Sequence, residues 1–223
     1  MPRILKITED GSHTLYVTDL DETYHSNHGA LQEANHVFIK NGIKRLKNYN
    51  INILELGFGT GLNPLVTLNE YLKNENIHSI NYFTLEKYPL DLEEIEKLNY
   101  SQFFDREIAD KIPEIHKAPW EEKAEISKNF YLKKIETDFF NLEKITLPAI
   151  DLVYFDCFGS QVQPELWEEP LIRMVSDKMA FNGLFTTYSS KGSLKRILKK
   201  LNFEVEKLEG PKGKREMINA WKR

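Results

Sequence analysis

Leu54-Glu55-Leu56-Gly57-Phe58-Gly59-Thr60-Gly61 decides the fold of this chain of 223 residues. The stretch predicts a hydrophobic strand from Ile51 to Leu56 that runs into a glycine-rich turn, with an apolar helix from Leu62 to Leu72 behind it. Alternate glycines let the backbone turn sharply and let a ligand approach the main chain. The free amides in the first turn of the helix then face a polar group of that ligand.

The spacing of the glycines distinguishes a dinucleotide site from an S-adenosylmethionine site. A dinucleotide fingerprint has a third Gly or Ala one position later, and this chain has Leu62 there. The Gly-x-Gly-x-Gly spacing therefore favours the S-adenosylmethionine loop of a class I methyltransferase over an NAD site. A simple turn also uses glycines in this way, so the interpretation needs a second residue.

That second residue is Glu86, at the end of the predicted strand from Asn81 to Glu86. The strand lies one strand–helix–strand unit beyond the glycines, and an acid at its tip accepts both ribose hydroxyls of an adenosine ligand. A solvated Glu at a strand end is the alternative for this residue taken by itself. The loop and the acid together predict an adenosine site.

Two more acids follow predicted strands. Asp138, with Phe139 behind it, suits an adenine slot in which the carboxylate accepts from the exocyclic amine and the ring packs on the base; a helix N-cap or turn acid is the alternative. Asp156 ends the near-continuous apolar strand 151–156, which is typical of a buried parallel strand. Ligands of open α/β sheets bind beyond such strand ends. Asp156 is therefore placed to hold an amine nucleophile and to favour loss of its proton.

The remaining pattern predicts an α/β fold with a Rossmann-like, mostly parallel sheet and an antiparallel last strand. Residues 1–50 are predicted to form an extension, with a hairpin over residues 3–18 and a helix from Ala30 to Asn41. Residues 51–223 form the core, with a helical elaboration at about 89–128 and a closing antiparallel pair, 203–208 and 216–221. We expect one methyltransferase domain over residues 1–223.

Composition narrows the class of protein. The chain has 41% hydrophobic and 12% aromatic residues, which fits a globular fold and excludes a disordered one. Its apolar runs fall short of the roughly 20 residues that a membrane helix needs, and its start does not read as a signal peptide. The single cysteine, Cys157, excludes an intrachain disulfide and a zinc site built from several cysteines. We expect a cytoplasmic protein without a metal, in which Cys157 is a buried filler.

The charge is unevenly distributed along the chain. The formal net charge is −4, but the residues from Lys191 to Arg223 carry 11 Lys and Arg against 4 Glu, a net of +7. A basic end on an acidic body is one form of electrostatic footprint for phosphate. For the lysines between 195 and 200 the alternative is an ordinary solvated helix face.

Several motifs resemble the methyltransferase module of the MnmC-like tRNA modification enzymes, the tRNA 5-(aminomethyl)-2-thiouridine methyltransferases. The resemblance covers nearly the whole chain. Its motifs are the following: Asp10-Gly11-Ser12-His13-Thr14-Leu15, Tyr24-His25-Ser26, Gly29-Ala30 with Glu33, Val37-Phe38-Ile39, Glu55-Leu56-Gly57-Phe58-Gly59-Thr60-Gly61-Leu62-Asn63, Leu85-Glu86-Lys87-Tyr88-Pro89-Leu90, Asp156-Cys157-Phe158-Gly159-Ser160-Gln161-Val162-Gln163-Pro164-Glu165-Leu166-Trp167 and Gly213-Lys214-Arg215-Glu216-Met217.

The resemblance implies methyl transfer from S-adenosylmethionine to the aminomethyl nitrogen on the wobble uridine of tRNA. It implies that the cofactor is held by Gly57, Phe58, Gly59, Gly61, Glu86, Lys87, Asp138 and Phe139. Asp156 would face the amine, and Lys212, Lys214 and Arg215 would meet tRNA phosphate near the entrance. Trp167 would stack on a flipped base, with a core position beneath the loop as its alternative.

The chain departs from the family pattern at two places. The family usually has Gly after the strand-end Asp and Ala-Pro two residues on, where this chain has Cys157 and Gly159-Ser160. Bifunctional relatives also carry a flavin-dependent oxidase domain, and a chain that ends at Arg223 resembles the standalone version without flavin.

Two other classes of function stay open at this stage. One is a small-molecule amine methyltransferase or aminopropyltransferase with the same loop, which would not need the basic C-terminal segment. The other is a non-catalytic RNA-binding module, against which the intact glycines, Glu86 and Asp156 argue. The sequence does not fix the oligomeric state.

Overall fold

The computed structural model describes residues 2–47 and 49–223. In chain order the strands are β1 (Arg3–Ile7), β2 (His13–Val17), β3 (Glu22–Thr23), β4 (Asn50–Leu56), β5 (Ser79–Glu86), β6 (Lys123–Ser127), β7 (Phe130–Glu136), β8 (Ile150–Phe155), β9 (Met179–Thr187), β10 (Phe203–Glu209) and β11 (Glu216–Lys222). The α-helices are α1 (Ala30–Ala34), α2 (Leu62–Lys73), α3 (Leu92–Glu96), α4 (Arg106–Ala109), α5 (Ile112–Lys117), α6 (Glu169–Lys178) and α7 (Gly192–Lys200).

Among the described residues, eight strands form the central sheet in the order β10-β11-β9-β8-β4-β5-β7-β6. Strands β9, β8, β4, β5 and β7 are parallel to their neighbours in that run. Strand β11 runs antiparallel to both β9 and β10. The predicted Rossmann-like sheet with an antiparallel last strand is therefore confirmed.

The core lies on both faces of this sheet because side chains alternate along each strand. In β4, Ile51 and Ile53 pack into the cluster on the side of α2, whereas Leu54 and Leu56 pack into the cluster on the side of α6 and α7. Burial on both faces explains why the central strands read as continuous apolar runs. It also places Glu55, which lies between two such residues, inside the protein with no exposed surface.

The N-terminal extension forms a small sheet in the order β1-β2-β3. The predicted hairpin is present, with Gly11 at φ 85° in its turn; β3 is an addition that the sequence pattern did not indicate. The predicted helix from Ala30 begins as α1 and continues as a π-helical segment, Asn35–Lys40. The helical segment ends shortly before Gly42. Only glycine fits at this position, because a Cβ there would lie 2.1 Å from the Phe38 carbonyl oxygen.

The predicted helical elaboration at 89–128 is only partly correct. Residues 92–117 form three short helices with a 3₁₀ turn, Tyr100–Phe103, but β6 is a strand that pairs antiparallel with β7. Edge strands keep one side open to solvent and are marked by polar residues, and Ile126 is the one buried hydrophobic residue in β6. The sequence of β6 is therefore too polar to indicate a strand. None of the helices in the described part has the length and apolar character needed to span a membrane.

Candidate active site

A cavity of about 500 Å³ opens at the carboxyl ends of β4, β5 and β8. Its volume lies in the range of small-molecule sites, roughly 300–1,000 Å³. The glycine loop after β4, Glu86 at the end of β5 and Asp156 after β8 line it together. Leu20 and residues 22–28 of the N-terminal extension form part of its wall.

The glycine loop has the backbone that its sequence predicts. Gly57, Gly59 and Gly61 have φ values of 98°, 49° and 70°, a region that residues with a Cβ rarely adopt. A Cβ on Gly57 would lie 2.8 Å from the Asp156 carbonyl oxygen, and one on Gly59 would lie 2.9 Å from the Tyr24 ring. The loop therefore needs glycine both for its conformation and for the close approach of its neighbours.

Glu86 accepts a hydrogen bond from the glycine loop and can still accept hydrogen bonds from a ligand. Its Oε2 accepts the N–H of Gly59 at 3.0 Å, and its Oε1 accepts the N–H of Tyr88 at 2.8 Å. A carboxylate oxygen has two lone pairs, so each oxygen can accept one more hydrogen bond. This is the capacity that two ribose hydroxyls require.

Asp138 and Lys87 form an ion pair in the lining of the cavity. Lys87 Nζ lies 2.7 Å from Asp138 Oδ2, while Asp138 Oδ1 accepts the N–H of Phe140 at 2.9 Å. The hydrogen bond from Lys87 lowers the pKa of Asp138. The N-cap alternative for Asp138 therefore holds, and the residue also lines the cavity with Phe139.

Asp156 is held by an amide from α2. Asn63 Nδ2 donates to Asp156 Oδ2 at 2.8 Å. Burial raises the pKa of Asp156 to about 7, and the negative charge of Glu33 adds to the shift, whereas Asn63 and Lys214 oppose it. A carboxylate with a pKa near neutrality is suited to exchange a proton with a substrate.

Glu33, Lys214 and Tyr188 form a charged group in the same cavity. Lys214 Nζ lies 2.6 Å from Glu33 Oε1 and 3.7 Å from the centroid of the Tyr188 ring. Glu33 Oε2 accepts the N–H of Ser26 at 2.8 Å. Lys214 therefore turns into the cavity instead of extending into solvent.

Behind Asp156 lies a buried polar cluster around Glu55. Thr84 Oγ1 donates to Glu55 Oε2 at 2.6 Å, while Glu55 Oε1, Asn63 Oδ1 and the Tyr82 hydroxyl are buried without a hydrogen-bond partner in the described structure. Burial raises the pKa of Glu55 to about 8, and the negative charge of Asp156 adds to the shift, whereas the hydrogen bond from Thr84 opposes it. Glu55 is therefore a neutral acid at pH 7, with a proton to donate within this cluster.

Trp167 is a core aromatic that also lines the cavity. It is 2% exposed, its Nε1 donates to the Phe158 carbonyl oxygen at 2.7 Å, and its ring meets the edges of Phe155 and Tyr188. This position favours the core alternative over stacking on a base. Cys157 is buried, as expected of a small filler.

The structure brings most of the predicted site residues together. The following line the cavity: Gly57, Phe58, Gly59, Glu86, Lys87, Asp138, Phe139, Asp156, Trp167 and Lys214. Gly61 lies outside the lining and against His116, where a Cβ would be 2.7 Å from the ring. Lys212 and Arg215 also lie outside it, although Lys212 pairs at 2.9 Å with Glu9, which also binds cavity-lining His28.

The N-terminal extension supplies site residues that the sequence pattern left unassigned. Tyr24 and His25 line the cavity. His25 Nδ1 is 3.0 Å from Thr14 Oγ1, and its Nε2 is 3.3 Å from Thr60 Oγ1 in the glycine loop. Burial lowers the pKa of His25 to about 4, so the ring is neutral. The available signal was the Tyr24-His25-Ser26 motif, which carried the family resemblance but no role.

The basic C-terminal stretch is partly neutralised by ion pairs. The pairs are Lys195 and Lys207 with Glu216, Lys200 with Glu169, Lys212 with Glu9, Lys214 with Glu33, and Arg223 with Glu204. Arg215 is exposed. The net of +7 therefore overstates the free positive charge on the surface. Within residues 2–47 and 49–223, no group of three or more His, Cys, Asp or Glu side chains is arranged to hold a metal ion.

Comparison with known proteins agrees with this geometry. Residues 99–223 match a family described as S-adenosyl-L-methionine-dependent methyltransferase. The tRNA 5-methylaminomethyl-2-thiouridine biosynthesis bifunctional protein MnmC of Leptospira borgpetersenii is 30% identical over 214 residues, which cover 90% of this chain and 32% of the relative. MnmC of Paraburkholderia phymatum is 28% identical over 233 residues, which cover 98% of this chain and 34% of the relative.

The chain thus spans about a third of the length of these curated relatives. The crystal structure of MnmC2 from Aquifex aeolicus superposes with a TM-score of 0.81 at 26% identity, covering 98% of this chain and 69% of that one. The family match extends over more than half of the chain and includes β8 with Asp156. The chain therefore belongs to the S-adenosyl-L-methionine-dependent methyltransferase family.

Proposed function

We propose that this chain transfers a methyl group from S-adenosylmethionine to the aminomethyl nitrogen on the wobble uridine of tRNA. The observation that carries the proposal is the position of Asp156, whose carboxylate shares one cavity with the glycine loop and Glu86. The names of the MnmC relatives support the choice of substrate. We also propose that residues 1–223 act as one methyltransferase domain, because its N-terminal extension lines the same cavity.

The cavity fits the cofactor at two points. Gly57 and Gly59 line the cavity without a side chain, which leaves the loop backbone accessible, and each oxygen of Glu86, which lines the same cavity, keeps a free lone pair. In this proposal Glu86 binds the ribose, and Asp138 with Phe139 meets the adenine. When bound, S-adenosylmethionine supplies an activated methyl group on a positively charged sulfur.

Asp156 acts on the amine in this proposal. An amine nitrogen that forms a new C–N bond gives up one proton, and a carboxylate with a pKa of about 7 is suited to accept it. The Asn63 amide fixes the orientation of that carboxylate. In this proposal the cavity holds the amine in line with the methyl group and shields it from water, which is most of what methyl transfer requires.

A small-molecule amine is the second candidate substrate, and one observation favours it. The ion pairs of Lys212 and Lys214 leave less free positive charge beside the cavity than the sequence indicates. Phosphate contacts dominate the affinity of nucleic-acid binders, so a tRNA enzyme must release or supplement these lysines. Lys212 and Arg215 are both exposed in this loop, and Lys212 is paired with Glu9.

Two measurements test the proposal. Nucleoside mass spectrometry of tRNA from a strain that lacks the gene should show loss of the methylated aminomethyl nucleoside and accumulation of its unmethylated form. The purified protein with S-adenosylmethionine should restore the methyl group on that tRNA. An unchanged nucleoside profile, or faster methylation of the free nucleoside than of tRNA, would contradict the tRNA proposal.

A further inference from the structure

The ammonium group of Lys214 lies in a site with the chemistry of a receptor for primary amines. One carboxylate oxygen of Glu33 lies 2.6 Å from Nζ, and the face of Tyr188 lies 3.7 Å away, measured to the ring centroid. A charge-assisted hydrogen bond and a cation–π contact are the two interactions that recognise an alkylammonium ion.

The receptor side of this site is fixed by other parts of the fold. Glu33 Oε2 accepts the N–H of Ser26 at 2.8 Å, and the Tyr188 hydroxyl donates to the carbonyl oxygen of Cys157 at 2.8 Å. The Glu33 side chain is 11% exposed, whereas that of Lys214 is 35% exposed. The Glu33 carboxylate and the Tyr188 ring are therefore held in place by the fold, and the more exposed Lys214 side chain reaches them from the open side of the cavity.

The site adjoins the group that we place at the amine. Asp156, Glu33, Tyr188 and Lys214 line the same cavity. The charges of Glu33 and Lys214 both act on Asp156. An ammonium ion held by Glu33 and Tyr188 would therefore lie beside the residue that is to receive its proton.

We propose that Glu33 and Tyr188 form the subsite that receives the ammonium group of the substrate, and that Lys214 fills this subsite until the substrate displaces it. The inference rests on the proposed function, because an aminomethyl group is a primary amine and alkylamines are protonated at neutral pH. A displaced Lys214 returns to the open side, where it is free to meet a phosphate of the bound tRNA. The competing explanation is that the Lys214–Glu33 pair only ties the loop before β11 to α1.

The first test measures binding of benzylammonium, a primary ammonium probe, by calorimetric titration of the protein without cofactor. Lys214→Met removes the resident cation and should raise the affinity about tenfold over wild type, a difference of the size that one competing ion pair produces. Lys214→Arg keeps a cation and should bind as weakly as wild type. Lys214→Met combined with Glu33→Gln should lose the gain, and benzyl alcohol should bind all four proteins alike.

Equal benzylammonium affinity for wild type and Lys214→Met, or a gain that survives Glu33→Gln, would overturn the inference. Unfolding curves accompany each titration, because Lys214→Met leaves the Glu33 carboxylate without its cation. If that variant does not fold, Lys214→Gln takes its place, since the amide keeps a hydrogen bond to Glu33 without the charge.

The second test measures methylation of a free aminomethyl nucleoside, which carries the amine but no tRNA phosphate. Lys214→Met should raise kcat/KM for this nucleoside relative to tRNA, and Glu33→Gln should lower it for both. A wild-type protein that methylates neither substrate but shows the binding pattern would refute the proposed function and keep the ammonium subsite. If the wild-type protein methylates a substrate but Lys214→Met does not bind benzylammonium more tightly than wild type, the ammonium subsite alone is refuted.

Discussion

Replacement of Glu55 by Gln should stabilise the protein in a manner that depends on pH. Glu55 has no exposed surface, and burial raises its pKa from an ordinary value of 4.5 to about 8. Between pH 4.5 and about pH 8, Glu55 keeps its proton in the folded chain and releases it in the unfolded chain. Stability therefore falls as pH rises across this window, by about 1.4 kcal/mol per pH unit.

The size of the effect follows from that window. At pH 7 the suppressed ionisation of Glu55 costs about 3 kcal/mol of unfolding free energy, and the loss levels off above pH 8. Gln does not titrate, keeps an acceptor for Thr84 Oγ1 and supplies N–H donors to the buried cluster that includes Asn63 Oδ1. We therefore expect Glu55→Gln and wild type to be similar near pH 4.5, and the variant to be more stable by about 3 kcal/mol at pH 7.

Urea unfolding followed by circular dichroism at pH 5, 6, 7 and 8 measures this difference. Glu96→Gln is the matched control, because Glu96 is exposed and the same chemical change should leave the pH slope of wild type unaltered. If Glu55→Gln and wild type show parallel pH profiles, Glu55 is ionised in the folded protein and the reasoning from burial fails. A variant that is less stable at every pH would show that Glu55 has a partner that Gln does not reproduce.

Three further changes test the proposed site. Glu86→Ala should weaken S-adenosylmethionine binding by about 2–4 kcal/mol in a calorimetric titration, because two hydrogen bonds to a charged acceptor are lost; unchanged affinity would remove Glu86 from the site. Asp156→Asn should keep the cofactor affinity and lower turnover about a hundredfold. The wild-type rate should rise with pH through about 7, because the pKa of Asp156 is raised to that value and the carboxylate is the active form; a wild-type rate that is flat from pH 6 to 8 would contradict this role. Arg215→Ala should flatten the dependence of log tRNA affinity on log salt by a little under about one unit, and Lys212→Ala by less, because Glu9 already neutralises Lys212. A salt slope unaltered in both variants would place the tRNA surface elsewhere.

Local sequence predicted the scaffold of the site well. Gly57, Gly59 and Gly61 all have positive φ, and Glu86 and Asp156 lie where two parallel strands end at one edge of the sheet. These features could be predicted because a strand, a turn and a helix start are determined by neighbours along the chain. The carboxyl ends of parallel strands then meet by geometry.

The edge strand β6 and the basic stretch show where such prediction fails. β6 is held by its pairing with β7, so its own residues did not need to alternate strongly. Lys200, Lys212 and Lys214 appeared free because their acidic partners lie outside the C-terminal stretch and are distant in sequence. Lys214 and Glu33 are 181 residues apart, yet their charged atoms lie 2.6 Å apart.

The sequence by itself determined the class of fold, the glycine-rich loop and the acids at the strand ends, because each of these depends on short-range pattern and on the regular geometry of a parallel sheet. Only the tertiary structure decided which charges meet. It placed Lys214 on Glu33 and Tyr188 instead of in solvent, and it enclosed Glu55 with Asn63 and Tyr82 behind Asp156. The physical reason is that burial and ionic partners are properties of three-dimensional packing, and they decide which of these groups carries a charge.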